Sequence, residues 1–187
     1  MSKENVESSA HRQRLRCREQ PRGSLDERVA AHFPAFATWL TARVSRLPPS
    51  SKLRQRVLAR AVCHGFAALQ RGDFEAALGN LYDPDVEWHG AAGGLDEGRV
   101  VRGRAEVVEA FRDYYDTWER LELRPKEIID TGDELIVFVH EVARGRKSGV
   151  VVETDTAAIS TLHDGRVVQV RNYLDRAEAL EAAGLRE

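Results

Sequence analysis

From Leu135 to Leu174 the chain reads LIVFVHEVARGRKSGVVVETDTAAISTLHDGRVVQVRNYL. Three runs rich in β-branched residues, Leu135 to Arg144, Val150 to Leu162 and Val167 to Leu174, are separated by "GRKSG" and "HDGR". Val, Ile and Thr suit a pleated strand, and the Gly, Asp and Ser between the runs suit tight turns. Connections this short join antiparallel neighbours, so the segment predicts a consecutive meander. A fourth run, Leu123 to Ile129, precedes it across "TGDE".

Turn placement sets which side chains share a face. If "GRKS" makes the first turn, Arg144 faces Gly149, His140 lies opposite Glu153, and Phe138 lies opposite Asp155. If Asp164 and Gly165 make the second, Ala157 faces Asn172 and Ile159 faces Val170. His140, Glu153, Asp155 and Asn172 then occupy one face, with Arg171 and Tyr173 on the other. A slip of one residue would reverse the assignment of a strand.

Upstream the period changes to that of helices. Ser24 followed by Glu27 forms a capping box, and Val29, Phe33, Phe36, Leu40, Val44 and Leu47 recur at steps of four and three. Pro34 either kinks this amphipathic helix or opens its regular part, and Pro48 and Pro49 end it. A second helix starts at Ser50 or Ser51, carries Leu53, Val57 and Ala61 on a buried stripe, and stops at Gly72. Asp73 caps a short third helix, Phe74 to Tyr82. "DPDVEWHG" gives a turn and a short strand, Gly90 to Gly103 a glycine-rich loop, and Arg104 to Arg120 another amphipathic helix. Glu178 to Ala183 adds a closing helical turn.

The composition narrows the class. Charged residues at 31% and hydrophobic ones at 42% fit a globular chain, and no apolar run reaches the length of a membrane span. The first residues lack the apolar core of a secretory signal, which points to the cytoplasm. Cys17 and Cys63 have neither metal-knuckle spacing nor scaffold density, so they read as free thiols. There are 24 Arg against 4 Lys, yet acids are interleaved with them and the net charge is only −2, so no nucleic-acid surface is indicated. The exception is His11 to Arg22, five arginines against Glu19, which reads as a solvated tail. The organisation is therefore a basic tail over 1–23, an amphipathic helix over 24–49, and one domain over 50–187.

"FAALQRGDFEAALGNLYDPDVEWHG", "VVRGRAEVVEAFRDYY" and "DGRVVQVRNYLDRAEALEAAGL", in that order, resemble the SnoaL-like branch of the nuclear transport factor 2 superfamily. The resemblance implies an α+β cone: a curved, mostly antiparallel mixed sheet wrapped by three helices around a pocket, in a homodimer. The N-terminal amphipathic helix is an addition to that pattern. A small hydrophobic molecule is the implied partner, with no metal or cofactor required.

Two chemistries of the resembling proteins lose their residues here. Where epoxide hydrolases of this fold carry a catalytic aspartate, this chain has Asn172, whose amide cannot take a proton from water. Where steroid isomerases carry a base, a Tyr and a second Asp, the corresponding places fall at His89 or Gly90, near Gly65, and near Ala158 or Ile159.

What remains is His140 with Glu153 and Asp155, which would make an acid/base set if it lines the pocket and a satisfied structural pair if it does not. Tyr82, Trp88, His89, Tyr115, Trp118, Phe138 and Asn172 are candidates to bind a flat ligand, with plain core as the alternative for the aromatics. The sequence thus points to a small-molecule-binding domain. It is either an isomerase, cyclase or dehydratase type of enzyme, or a non-catalytic ligand-binding or dimerisation module.

Overall fold

The computed structural model describes residues 10–15, 17, 43–79, 81–94 and 96–186. Its elements in chain order are β1 (His11–Arg14), α1 (Lys52–Gln70), α2 (Phe74–Leu78), β2 (Tyr82–Ala92), β3 (Val100–Arg102), α3 (Arg104–Asp116), β4 (Trp118–Asp130), β5 (Glu134–Gly145), β6 (Val151–His163), β7 (Arg166–Tyr173) and α4 (Arg176–Ala182). The strands form one curved, unclosed sheet in the order β1-β4-β5-β6-β7-β2-β3, antiparallel throughout except for β2 beside β7. The α+β cone and the meander of the last three strands stand as the sequence predicts, and β4 extends the meander to four strands.

Local chemistry explains the boundaries. Ser51 caps α1 by accepting from the Arg54 amide at 3.5 Å. Asp73 caps α2 by accepting from Ala76 at 3.1 Å. Helix α2 is shorter than expected, because Tyr82 already pairs with Val167 as a strand residue. Helix α3 likewise stops at Asp116, and Trp118 and Arg120 belong to β4. Pro125, which has no amide proton to donate, sits at the β4 irregularity between its own pair with Val139 and the Glu127–Phe138 pair.

The sheet has two unlike faces. Helices α1, α2 and α3 cover an inner face through Phe74, Leu78, Val86, Val107, Val108, Val167 and Val170, continued by Leu58, Ile128, Leu135 and Val137. Helix α4 covers part of the outer face through Ala179, Leu180 and Ala183 on Ile129, Ile136, Phe138, Ala157 and Ile159. The buried stripe of α1 is rotated from the expected one: Leu53 is 57% exposed, whereas Arg54 and Leu58 are buried.

Arg54 acts as a clamp. Its guanidinium donates to both Asp130 oxygens at 2.6 and 2.7 Å, to Gly132 O at 2.5 Å, to Leu47 O at 3.0 Å and to Ser45 O. All five N–H groups are thereby satisfied, the condition under which a charge tolerates burial. The clamp ties the segment before α1 to the β4–β5 turn. That segment is helical from Arg43 to Ser45 and buries Val44. The rest of the helix expected over 24–49 lies outside the described residues.

Two expectations for the N-terminus are corrected. Within the segment read as an unstructured tail, His11 to Arg14 pairs with Glu127 to Asp130 as an edge strand, and Arg12 meets the Glu127 carboxylate at 3.2 Å. Cys17 and Cys63 are not free thiols but a disulfide, linking the end of this segment to α1. The cytoplasmic reading loses the support it drew from them.

The registers also differ from the predicted ones. The β5–β6 loop is longer than "GRKS", and Arg144 pairs with Val151, so His140 lies opposite Asp155 and Glu153 opposite Val142. A shift of two residues keeps the face. The β6–β7 turn falls where expected, with Asp164 at φ 48° and Gly165 at φ 79° and His163 opposite Arg166. A bulge then follows: Leu162 pairs with Val167 but Thr161 with Gln169, leaving Val168 as the extra residue. Beyond it Asn172 lies opposite Ala158 and changes face relative to His140.

Candidate ligand site on the inner face

The expected acid/base set does not line the inner face. His140 Nδ1 meets Asp155 Oδ1 at 2.9 Å on the outer face, where the Asp155 side chain is 85% exposed. Glu153 is exposed beside it. Phe138 shares that face, buried under α4 with the Arg176 guanidinium 3.9 Å from its ring centroid. His89 pairs with Arg171, also on the outer face, and reaches Gln169 at 3.2 Å and Glu87 at 3.4 Å. Asn172 does lie on the inner side, where its Nδ2 donates to His89 O at 2.7 Å.

Among the predicted aromatics, two are core. Tyr82 stacks on Trp88 with centroids 6.4 Å apart, and Trp88 meets Phe111 edge-on at 4.9 Å. Burial pushes the Tyr82 phenol up to about 12. Two cavities lie elsewhere: one of about 400 Å³ beside the Arg54 clamp, the other of about 200 Å³ beside His89 and Arg171.

The other two aromatics belong to a different cluster. Tyr115, at the end of α3, packs edge-on against Phe74 at 5.0 Å. Its hydroxyl is buried with no hydrogen-bond partner. Tyr114 donates from its hydroxyl to the Glu141 carboxylate and meets Trp118 edge-on at 5.9 Å. Trp118 Nε1 is buried and forms no hydrogen bond of ordinary geometry, though its closeness to the Tyr114 phenol offsets part of that group's pKa rise.

Electrostatics bind the cluster together. The Tyr114 pKa is pushed up by burial first, then by its hydrogen bond to Glu141 and that carboxylate's charge. Tyr114 is 40% exposed as a residue, so it is the oxygen end, held against Glu141, that feels the burial. The Tyr115 pKa rises from burial and from the same carboxylate. Glu141 stands in a cross-strand row with Leu123 and Thr154. The inner-facing positions of β4 to β7 hold two acids, Asp130 and Glu141, and Asp130 is consumed by Arg54. Glu141 is thus the carboxylate this face has to offer.

A carboxylate, a buried phenol and an indole N–H gathered beside rings can take a ligand that is aromatic in body and polar at one end. An acceptor on the ligand would receive Tyr115 and Trp118, and a donor would go to Glu141. Sequence reasoning reached Tyr115 and Trp118 and missed Tyr114 and Glu141. The usable signal was that Glu141 alternates with Val139 and Val137, on the parity opposite His140.

A curved sheet of this order, with three helices packed on its inner face, defines a nuclear transport factor 2-like domain. The family model described as the SnoaL-like domain matches residues 62–170, and the chain belongs to that family. No curated relative matches it in sequence. Among solved structures it is similar to TerC, co-crystallised with polyporic acid, at 25% identity and a TM-score of 0.53 over 66% of this chain and 95% of that one. It is similar to a nuclear transport factor 2-like protein of Burkholderia thailandensis at 25% identity and TM-score 0.55, over 62% of this chain and 88% of that one. A third is a protein of ketosteroid isomerase-like fold from Catenulispora acidiphila, in complex with trimethylamine, at 15% identity and TM-score 0.54 over 67% and 92%. Among the described residues no helix is long and apolar enough to cross a membrane.

Proposed function

We propose that the chain binds a small, mostly apolar aromatic molecule at the Tyr114, Tyr115, Trp118 and Glu141 cluster. The observation that carries this reading is the buried, unpartnered Tyr115 hydroxyl within the field of the Glu141 carboxylate, next to Tyr114, which in turn meets the Trp118 indole. Leaving such a group unsatisfied costs roughly 1–3 kcal/mol, which a ligand's polar end would recover. The complex of TerC with polyporic acid supports a small-molecule ligand for a chain of this fold. An acid/base reaction at this site would use Glu141 as its base, in place of His140, Glu153 and Asp155. The domain acts as a homodimer, with a second copy on the part of the outer face that α4 leaves open.

Calorimetric titration with polyporic acid and with simple aromatic ketones tests the binding. Tyr115→Phe and Glu141→Gln weaken the bound member of that set by about tenfold each, and His140→Ala leaves it unchanged. Equal binding by all three variants and the wild type would overturn the assignment. Light scattering tests the dimer, which a monomeric mass would exclude.

A further inference from the structure

The cavity of about 200 Å³ lies away from the aromatic cluster, where β2 and β7 fall out of step. His89 pairs with Arg171 and Ala92 with Tyr173, so three steps along β2 match two along β7. A bulge of this kind re-aims side chains and opens the ladder locally. The opening is fixed in place. Asn172 Nδ2 takes the His89 carbonyl at 2.7 Å, and the Gly90 amide donates to Arg99 O at 2.9 Å. A Cβ on Gly90 would come 2.0 Å from Asp96 O, so no larger residue allows this close approach of the β2–β3 hairpin.

The charges around the cavity are unevenly committed. Its wall contains His89, Glu97, Arg99, Arg171 and Tyr173 together with Ala92. The hairpin's acids are spent on its own backbone: Asp96 accepts from the Ala91 amide at 3.1 Å and Glu97 from the Gly93 amide at 3.2 Å. Arg171 gives Nη2 to Glu134 at 2.6 Å, but its Nε is buried and has no acceptor. The exposed Arg99 makes no ion pair with any described residue. The exposed Arg99 and the part-exposed Arg171 side chain therefore line a space whose one carboxylate is already bonded.

We propose that this cavity binds a small monocarboxylate, its carboxyl group held by Arg99 and Arg171 and its apolar body resting on Tyr173 and Ala92. An exposed guanidinium presents N–H groups in the fork that a carboxylate matches, through charge-assisted bonds. The space displaces about six or seven waters at roughly 30 Å³ each, enough for a benzoate-sized anion. The site stands independently of the inner-face cluster, since it shares no residue with it.

Amide-resolved NMR of the full chain, titrated with benzoate at low salt, tests the assignment. The amides of Gly98, Arg99 and Tyr173 shift saturably, with a Kd of about 1 mM or tighter. Arg99→Gln and Arg171→Lys each weaken binding by about tenfold, and benzamide, the neutral analogue, binds at least tenfold more weakly than benzoate. Benzamide binding as well as benzoate, or both variants binding as the wild type does, would overturn the proposal. So would shifts confined to Trp118 and Glu141, which would assign benzoate to the inner face instead.

Discussion

The Tyr114 hydroxyl donates to the Glu141 carboxylate across 27 residues of sequence, joining the last turn of α3 to β5. This bond places a negative charge next to two phenols whose pKa values burial already raises. With Tyr82, three of the four tyrosines are held neutral above their ordinary range near 10. The unfolded chain ionises them first, so it binds fewer protons and gains on the native state as pH rises past about 10. The stability they contribute is complete below that pH and lost on approach to the folded values. Absorbance of phenolate is expected to stay below half of its final amplitude at about pH 11, then rise with alkaline unfolding. A smooth, nearly complete titration centred near pH 10 would contradict the burial.

Arg54 and Asp130 form an ion pair in which both side chains are 5% exposed or less. Replacing Arg54 by Met leaves Asp130 buried and strips Ser45, Leu47 and Gly132 of a donor. Removing one partner of such a pair costs about 3–5 kcal/mol, whereas removing both with apolar residues recovers much of the loss. Urea denaturation of Arg54→Met, Asp130→Leu and the double variant measures this. A single-variant loss under about 1 kcal/mol would contradict the clamp.

Reduction separates Cys17 from Cys63, whose bond closes a loop spanning a sequence separation of 46. The chain-entropy argument gives about 4 kcal/mol for a loop of that length, less if the reduced chain keeps residual structure. The denaturation midpoint therefore falls in dithiothreitol, and the Cys17→Ser, Cys63→Ser protein behaves as the reduced one. Unfolded but unreduced protein reacts with no thiol reagent. Two reactive thiols in that sample would contradict the bond.

His140 and Asp155 make an exposed pair, and such pairs contribute only about 0–1 kcal/mol. His140→Ala is expected to change urea stability by no more than that and to leave ligand affinity in place. A large loss of either would return the outer face to the functional account.

The fold was legible because its signals are local. Turn residues, caps and β-branched runs mark the meander and helices within one or two residues at most ends. The site was not, because face assignment depends on features without a local signature. "RVVQV" reads as an unbroken strand, and nothing in it announces that Val168 bulges and that Asn172 therefore changes face. In "LIVFV" both parities are apolar, since α1 covers Leu135 and Val137 while α4 covers Ile136 and Phe138. The alternation consequently could not say whether His140 or Glu141 faces inward. Arg54 sat on a helix position that reads as solvated, and its burial depends on Asp130, which is 76 residues away. Cys17 and Cys63 are distant in sequence, and among the described residues the pairing of β1 with β4 carries Cys17 to the sheet beside α1.

The most direct test of the inner-face assignment is the Trp118 indole N–H resonance during titration with a small aromatic ketone such as acetophenone. The account predicts a saturable shift of that resonance, weakened by Tyr115→Phe and by Glu141→Gln and retained in His140→Ala. An indole resonance that does not move, while amides near His140 and Asp155 do, would contradict it.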